Sequence, residues 1–263
     1  MNRVLITALT LVLSAAIGQA LVGQEPVSAP LQEPGQRVPF GVGEVCVYDI
    51  YFGPIRAGSG RAEIVGIEDM RGRPAYHIVF TLRGGTFFYK VDDRYENWID
   101  TATLASLRYV QHIHEGGYKR NTTYDIYPER AVYTENGGPE TASVSNPLDD
   151  GSFIYFIRTV PMDVGQRHEF QRYFKPDRNP VILQAVRKER IDIAAGKFDA
   201  LVIHPTIKAK GLFAEDGRAE VYLSTDARRI MLAMKTKLSF GSLNLYLKSY
   251  TPAKTAIAPT PIP

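Results

Sequence analysis

Residues 75–82 read AYHIVFTL, and this stretch decides the fold class. Large apolar side chains occupy every second position from Tyr76 to Leu82 and alternate with smaller or more polar ones. Residues 243–248, LNLYLK, repeat the same period of two. Successive side chains of an extended chain point to opposite faces, so both stretches predict half-buried β-strands.

Short turn signals separate stretches of this kind. They occur at Gly58–Gly60, Arg71–Pro74, Gly84–Gly85, Gly116–Gly117 and Asn136–Pro139. Short strands joined by short turns predict antiparallel neighbours. No block of about 20 to 50 residues recurs, which disfavours a propeller or a solenoid.

One helix is predicted inside residues 149–161. Phe153, Phe156 and Ile157 recur at helical spacing, Asp149 can cap the start, and Pro161 can end the helix. The prediction is therefore an all-β fold, mainly antiparallel, with one short helix of about three turns.

Composition limits the class of protein. The 263 residues are 44% hydrophobic and 22% charged, which fits one folded domain rather than a disordered chain. Lys and Arg number 31 against 28 Asp and Glu, a formal charge of +3. This balance is far from the concentrated positive charge that nucleic-acid binding requires, so no nucleic-acid partner is expected.

The first 20 residues have the pattern of a secretory signal peptide. Arg3 supplies the positive start, Val4–Ile17 is almost continuously apolar, and Ala20 ends a small-residue cleavage pattern. No cysteine follows directly, so a cleaved, non-lipidated periplasmic protein is predicted. The alternative is an uncleaved membrane anchor. Any other membrane contact is expected to be peripheral.

The remaining chain divides by its prolines. Residues 21–40 are predicted to form a Pro-rich linker, 41–250 a single β domain, and 251–263 a Pro-rich disordered tail. Cys46 is the single cysteine, so an intramolecular disulfide is impossible. It is interpreted as a small buried hydrophobe in a strand.

His112 and His114 are the sharpest candidates for metal ligands. Residues two apart on a strand share a face, with roughly 6.5 to 7 Å between them. Glu115 would point to the opposite face, however, and Arg108 would bring a positive charge to the histidine face. We therefore interpret the pair as solvated or hydrogen-bonded and predict no metal and no other cofactor.

Carboxylates raise the possibility of hydrolysis. They occur as Asp92-Asp93, Glu96, Asp100, Asp149-Asp150, Asp216 and Asp226. Two of them could meet in a groove as the acid and base of a glycosidase. Paired acids near turns more often cap helices or bond to their own backbone, so no catalytic residue is assigned.

Aromatic residues suggest a groove for a ligand. Phe88, Tyr95 and Trp98 could line a site for an acyl chain or a sugar, although strand cores are also aromatic. A helix against a curved sheet would add Phe153 and Phe156. These five residues are the predicted ligand-binding residues.

Several motifs resemble one bacterial family. They are Gly43-Glu44-Val45-Cys46-Val47-Tyr48, Trp98-Ile99-Asp100, Asp149-Asp150-Gly151-Ser152-Phe153-Ile154-Tyr155-Phe156-Ile157-Arg158, Gly196-Lys197-Phe198 and Tyr222-Leu223-Ser224-Thr225-Asp226. Together they are similar to the bacterial domain-of-unknown-function 3108 family, over about residues 43–250.

The resemblance implies an exported envelope protein with a curved antiparallel sheet or partly open barrel, like a lipocalin or a lipoprotein carrier. It implies no activity. It directs attention to Asp149, Ser152, Tyr155 and Arg158, which fit the family's helix motif. Their architectural interpretation is that Asp149 caps the helix and Arg158 pairs at its end.

Three functions stay open at this point. The first is a non-enzymatic periplasmic protein that binds a lipid, another amphiphile or an envelope protein's extended segment on a concave β surface. The second is a carboxylate-dependent hydrolase of envelope polysaccharide, and the third is a purely structural interaction domain. An open sheet interior would favour the first, and a filled interior the third.

Overall fold

The computed structural model of the chain describes residues 38–85, 90–207, 219–238 and 241–254. The predicted signal peptide, most of the two Pro-rich segments, and Phe88 lie outside these residues. Phe40, at the end of the predicted linker, is buried against Tyr76 and Tyr155.

The described residues form one antiparallel sheet of fourteen strands. The strands are β1 Val45–Phe52, β2 Ile55–Asp69, β3 Pro74–Gly85, β4 Lys90–Asp100, β5 Ser106–Glu115, β6 Tyr118–Tyr127, β7 Val132–Glu135, β8 Thr141–Ala142, β9 Arg167–Phe170, β10 Val181–Ile193, β11 Gly196–Thr206, β12 Glu220–Ser224, β13 Met231–Leu238 and β14 Gly241–Thr251. The two stretches that alternate with a period of two lie in β3 and β14, and the predicted all-β class is confirmed.

Every two consecutive strands are paired except β8 with β9, and β1 also pairs with β14. The spatial order is β8-β7-β6-β5-β4-β3-β2-β1-β14-β13-β12-β11-β10-β9. The meander is therefore open between β8 and β9, and the predicted curved sheet or partly open barrel matches this order. The connection between these two edge strands contains the helix.

The α-helix, α1, spans Asp150–Ile157, and Asp149 is its N-cap. The Asp149 side chain accepts hydrogen bonds from the backbone N–H groups of Gly151 and Ser152. The Ser152 hydroxyl bonds back to the Asp149 backbone, which completes a capping box. The predicted helix and its cap are confirmed, but the helix has 8 residues, about two turns rather than three, and it ends at Ile157, before Pro161. Two short 3₁₀ turns, Pro128–Arg130 and Pro176–Arg178, are the other helical elements described.

Most of the predicted turns are present, but the expectation at Gly58–Gly60 is wrong, because these residues lie inside β2. The Gly84–Gly85 signal likewise falls in β3. Of the described helices, none has the length and apolar character of a membrane span.

The largest apolar core lies between α1 and the strands from β9 to β14. Phe153, Phe156 and Ile157 pack there with residues of β10 to β13 such as Val202 and Leu232. The same core also includes residues of β1, β5 and β6, such as Tyr48 and Ile126. The interior beside β1 to β5 is organised differently.

Candidate functional site

The inner faces of β1 to β5 carry side chains in rows that cross the strands. One row, paired in register, contains Cys46, Ala62, Phe80, Tyr95 and Gln111. The next row contains Tyr48, Gly60, Leu82 and Asp93. Side chains alternate between the faces of a sheet, so both rows point to the same side. All of these residues except Gly60 line one cavity.

This cavity has a volume of about 770 Å³ and is bounded by α1, β1 to β5, β13 and β14. The last two strands contribute Met231, Met234, Leu243 and Leu245, so the lining is mainly apolar. The volume falls within the range of roughly 300 to 1,000 Å³ that is usual for small-molecule pockets. The sheet therefore has a hollow half, formed by β1 to β5 with β13 and β14, and a filled half, β6 to β12, whose described residues do not line the cavity.

Two glycines allow the strands to approach closely at the wall of the cavity. Gly58 of β2 and Gly84 of β3 are directly paired, and both line the cavity. A Cβ atom on Gly84 would collide with the Ala57 carbonyl oxygen, and one on Gly58 would collide with the Arg83 carbonyl oxygen. The glycines that resemble a turn in sequence are instead required where two backbones meet.

The rim of the cavity lies near the β1–β2 turn. Phe52 and Ile55 flank this turn, pair across it, and are 40% and 69% exposed. Arg56 and Arg83 line the same end of the cavity, where their side chains form ion pairs with Asp49 and Asp92.

One face of α1 covers part of the cavity. Ile154 and Tyr155 line the cavity, as do Asp150 and Gly151 at the start of α1. Phe153 and Phe156 lie in the core instead, where Phe156 packs edge-on against Phe170 with 5.0 Å between ring centroids. Helical spacing correctly predicted a buried face, but the cavity is on an adjacent face.

Asp149 is fully buried and joins the helix to the sheet. Its carboxylate accepts hydrogen bonds from the Asn97 amide and the Ser106 hydroxyl, both at 2.6 Å, in addition to the two helical N–H groups. Burial raises the pKa of the Asp149 carboxyl to about 7, although bonds from Ser106, Ser152 and Gly151 oppose the rise. These hydrogen bonds give Asp149 a structural role at the start of α1.

Arg158 is the C-cap of α1 and is also buried. Its guanidinium donates two hydrogen bonds to the Glu44 carboxylate, at 2.6 and 3.0 Å, and others to backbone carbonyls of Pro39, Arg228 and Arg229. Ser152 belongs to the cap at the other end of the helix. The four motif positions thus include both ends of α1, and Tyr155 lies between them against the cavity.

Cys46 lines the cavity but is only 4% exposed. Burial, with Glu44 nearby, raises the pKa of its thiol to about 11. Because the thiolate is the nucleophilic form of cysteine, this environment favours the unreactive thiol.

Of the remaining predicted ligand-binding residues, Tyr95 lines the cavity. Trp98 lies on the other face of β4, where its ring stacks on His77 with a centroid distance of 4.3 Å and its Nε1 donates to Glu68 at 2.7 Å. Phe88 lies outside the described residues. The structure therefore brings Tyr95, and not Trp98 or the two helix phenylalanines, to the cavity.

His112 and His114 are both exposed on β5. The Nδ1 atom of His112 lies 3.0 Å from the Asn121 Oδ1 atom, and Arg108 pairs with Asp125. Within the described parts of the chain, no group of three or more His, Cys, Asp or Glu side chains is placed to hold a metal ion.

Sequence reasoning missed most of the residues that line the cavity. Ile78, Phe80 and Leu82 were assigned to a strand but not to the site. Their shared alternation with Tyr76 was a usable signal, because one face of β3 had to be the concave one. Ile154 was missed because the more apolar phenylalanines beside it dominated the helical pattern.

Comparisons with known proteins support the family and the fold. The family described as "Protein of unknown function (DUF3108)" matches residues 47–248. No curated protein is significantly similar in sequence. Among solved structures, a beta-barrel-like protein of domain of unknown function DUF1849 from Brucella abortus has a TM-score of 0.51 at 11% identity, over 82% of this chain and 99% of that chain.

A second similar structure is the hypothetical protein CT021 from Chlamydia trachomatis. Its TM-score is 0.38 at 8% identity, and the match covers 85% of this chain and 93% of that chain. The Brucella structure shares the barrel-like fold, and at this identity the likeness concerns the fold alone.

Proposed function

The chain belongs to the DUF3108 family, whose description assigns no activity, and we propose a function from the geometry of the cavity. The protein is an exported, non-enzymatic envelope protein that binds an amphiphile between α1 and the hollow half of the sheet. Export rests on the signal-peptide pattern of Arg3, Val4–Ile17 and Ala20.

The cavity is the observation that carries this proposal. A volume of about 770 Å³ behind mainly apolar side chains is far larger than a packing defect in a close-packed interior. Each methylene group that leaves water for such a lining gains about 0.8 kcal/mol. About eight of them would gain roughly 6 kcal/mol, which offsets a large part of the cost of association.

Three candidate reactive groups at or beside the cavity have environments that favour a structural role. The Cys46 thiol is held in its unreactive form, Asp149 bonds to four donors, and Arg158 is neutralised by Glu44. Among the three functions left open by the sequence, a hollow interior favours ligand binding over a purely structural interaction domain.

The test is direct titration of the full-length chain with an uncharged fluorescent probe, N-phenyl-1-naphthylamine, together with native mass spectrometry of protein purified from its own host. We expect saturable binding and a co-purifying adduct. Ala62→Phe places a ring in the cavity and should weaken binding by roughly tenfold, because the ring occupies the volume that the ligand needs.

Ile67→Phe is the matched control. Ile67 lies on the same strand as Ala62 but is 41% exposed and does not line the cavity. Its binding curve should match that of the wild type. A folded wild-type protein with neither an adduct nor saturable uptake would refute ligand binding and favour the interaction-domain alternative.

A further inference from the structure

Most arginines around the cavity already face carboxylates. Arg56 lies 2.6 Å from Asp49 and Arg83 lies 3.2 Å from Asp92, both toward the rim. Arg158 is paired with Glu44, as described above. The positive charges of these guanidinium groups are therefore already balanced by carboxylates of the protein.

Arg178 also lines the cavity and belongs to a second compensated set. It donates to the Tyr173 hydroxyl at 3.2 Å, and that hydroxyl donates to the Asp150 carboxylate at 2.7 Å. The positive charge of Arg178 is thus linked to Asp150 through one hydroxyl group.

Asp93 is different. It is 1% exposed, lines the cavity, and has no ion pair with any residue that the structure describes. Its Oδ1 atom accepts a hydrogen bond from the His114 backbone N–H at 2.8 Å, whereas among the described residues its Oδ2 atom has only the Tyr95 hydroxyl, at 3.4 Å. A buried carboxylate without a counter-ion is costly, so a positive group from outside the chain would be stabilised here.

The environment of Tyr95 also contains negatively charged groups. Burial raises the pKa of the Tyr95 phenol, and the carboxylates Asp93, Glu115 and Asp150 raise it further. All three carboxylates line the cavity. The carboxylate of Asp93 therefore places negative charge on the wall built by β4, while β13 and β14 supply apolar side chains.

We infer that the natural ligand is an amphiphile whose head group carries an ammonium ion, with the ammonium against Asp93 and Tyr95 and the acyl or alkyl chain along the apolar lining. An ammonium group has three donors and no acceptor, which suits the Asp93 Oδ2 atom and the Tyr95 hydroxyl oxygen. An anionic head group would meet like charge at this wall. The inference rests on the proposed amphiphile binding and specifies its ligand class.

The experiment compares three probes with the same alkyl chain in calorimetric titrations of the full-length chain, all below their critical micelle concentrations. Dodecylammonium carries a positive head, dodecanoate a negative head, and dodecyl maltoside an uncharged one. We expect dodecylammonium to bind roughly tenfold or more tightly than dodecanoate, since hydrogen bonds to charged groups are the stronger ones.

Asp93→Asn should remove this preference while retaining the size of the side chain. Asp192→Asn is the control, because Asp192 is a strand carboxylate that is largely exposed in its pair with Lys197 and does not line the cavity. Its preference should equal that of the wild type. Circular dichroism and the urea midpoint establish that each variant is folded.

The outcomes separate the two claims. Equal affinity for all three probes, or a preference that survives Asp93→Asn, would overturn the ammonium inference and leave amphiphile binding intact. Binding of dodecanoate in preference to dodecylammonium would also overturn it. Failure of all three probes to bind would refute the proposed function itself.

Discussion

The guanidinium of Arg158 and the carboxylate of Glu44 form a buried, two-bonded ion pair, at 2.6 and 3.0 Å, between residues distant in sequence. Tyr250 adds a third bond by donating its hydroxyl to Glu44 at 3.1 Å. The pair connects the end of α1 to the segment before β1 and to the last strand. It therefore fixes the helix against both sides of the β1–β14 junction.

Glu44→Gln should lower the free energy of unfolding by about 3 to 5 kcal/mol, because it leaves the Arg158 charge buried without its partner. Urea denaturation measures the loss. Combining it with Arg158→Met should cost less than the sum of the two single changes, since residues in direct contact couple.

Asp92→Asn, in the exposed pair with Arg83, is the control and should cost no more than about 1 kcal/mol. If Glu44→Gln proved as mild as this control, the ion pair would not be important for stability.

Asp149 should make the protein less stable as the pH rises. Burial raises the carboxyl pKa from 3.8 to about 7 in the folded state, so the folded protein holds this proton more tightly than the unfolded chain. The resulting stabilisation is complete below about pH 4 and is lost as the pH increases through about 7.

Urea unfolding at a series of pH values will measure this contribution by comparing the wild type with Asp149→Asn. The variant cannot ionise here, so its free energy of unfolding should fall less between about pH 4 and pH 8. Asp192→Asn, at an exposed acid of β10 that pairs with Lys197, should follow the wild-type curve. Identical pH profiles for the wild type and Asp149→Asn would contradict the assigned environment.

Substitutions at two nearby positions of α1 should distinguish the helix face that packs in the core from the face that lines the cavity. Phe156 is 5% exposed in the core, so Phe156→Asp should cost more than about 4 kcal/mol and prevent folding. Ile154 lines the cavity, so Ile154→Ser should leave the protein folded and weaken binding of N-phenyl-1-naphthylamine. A folded Phe156→Asp protein that had lost binding would place the ligand on the other face of the helix.

Gly84→Ala should destabilise the sheet by about 1 to 3 kcal/mol, because the new Cβ atom collides with backbone of β2. Gly66→Ala provides the control on β2, since nothing lies within 4 Å of the position of its Cβ atom. Thermal unfolding of both variants tests the contrast. Equal melting temperatures would mean that the two strands can separate without cost.

Local sequence patterns predicted the local elements. The period of two in β3 and β14 and the capped apolar pattern of α1 are each contained within a few residues, so the physics that produces them is visible in the sequence. The same patterns do not say which face of a strand becomes concave. Trp98 and Tyr95 both lie on β4, but only their register relative to the neighbouring strands places Tyr95 inside and Trp98 outside.

Contacts between residues distant in sequence could not be predicted from these local patterns. Gly58 resembles a turn residue until its partner Gly84 is known, and Glu44 resembles an ordinary surface acid until Arg158 is placed beside it. The capping role of Asp149 was predictable, but its bonds to Asn97 and Ser106 depend on how α1 docks against the sheet.

The pairing of β1 with β14 places the first and last strands of the sheet side by side in the wall of the cavity. During synthesis the hairpins from β1 to β5 can form as soon as they are made, since each strand pairs with the next. The wall is complete only when β14 has also been made, and such distant pairing is a slow step of folding. Until then the apolar rows of β1 to β5 face solvent, so the nascent chain presents to chaperones the surface that lines the cavity of the finished protein.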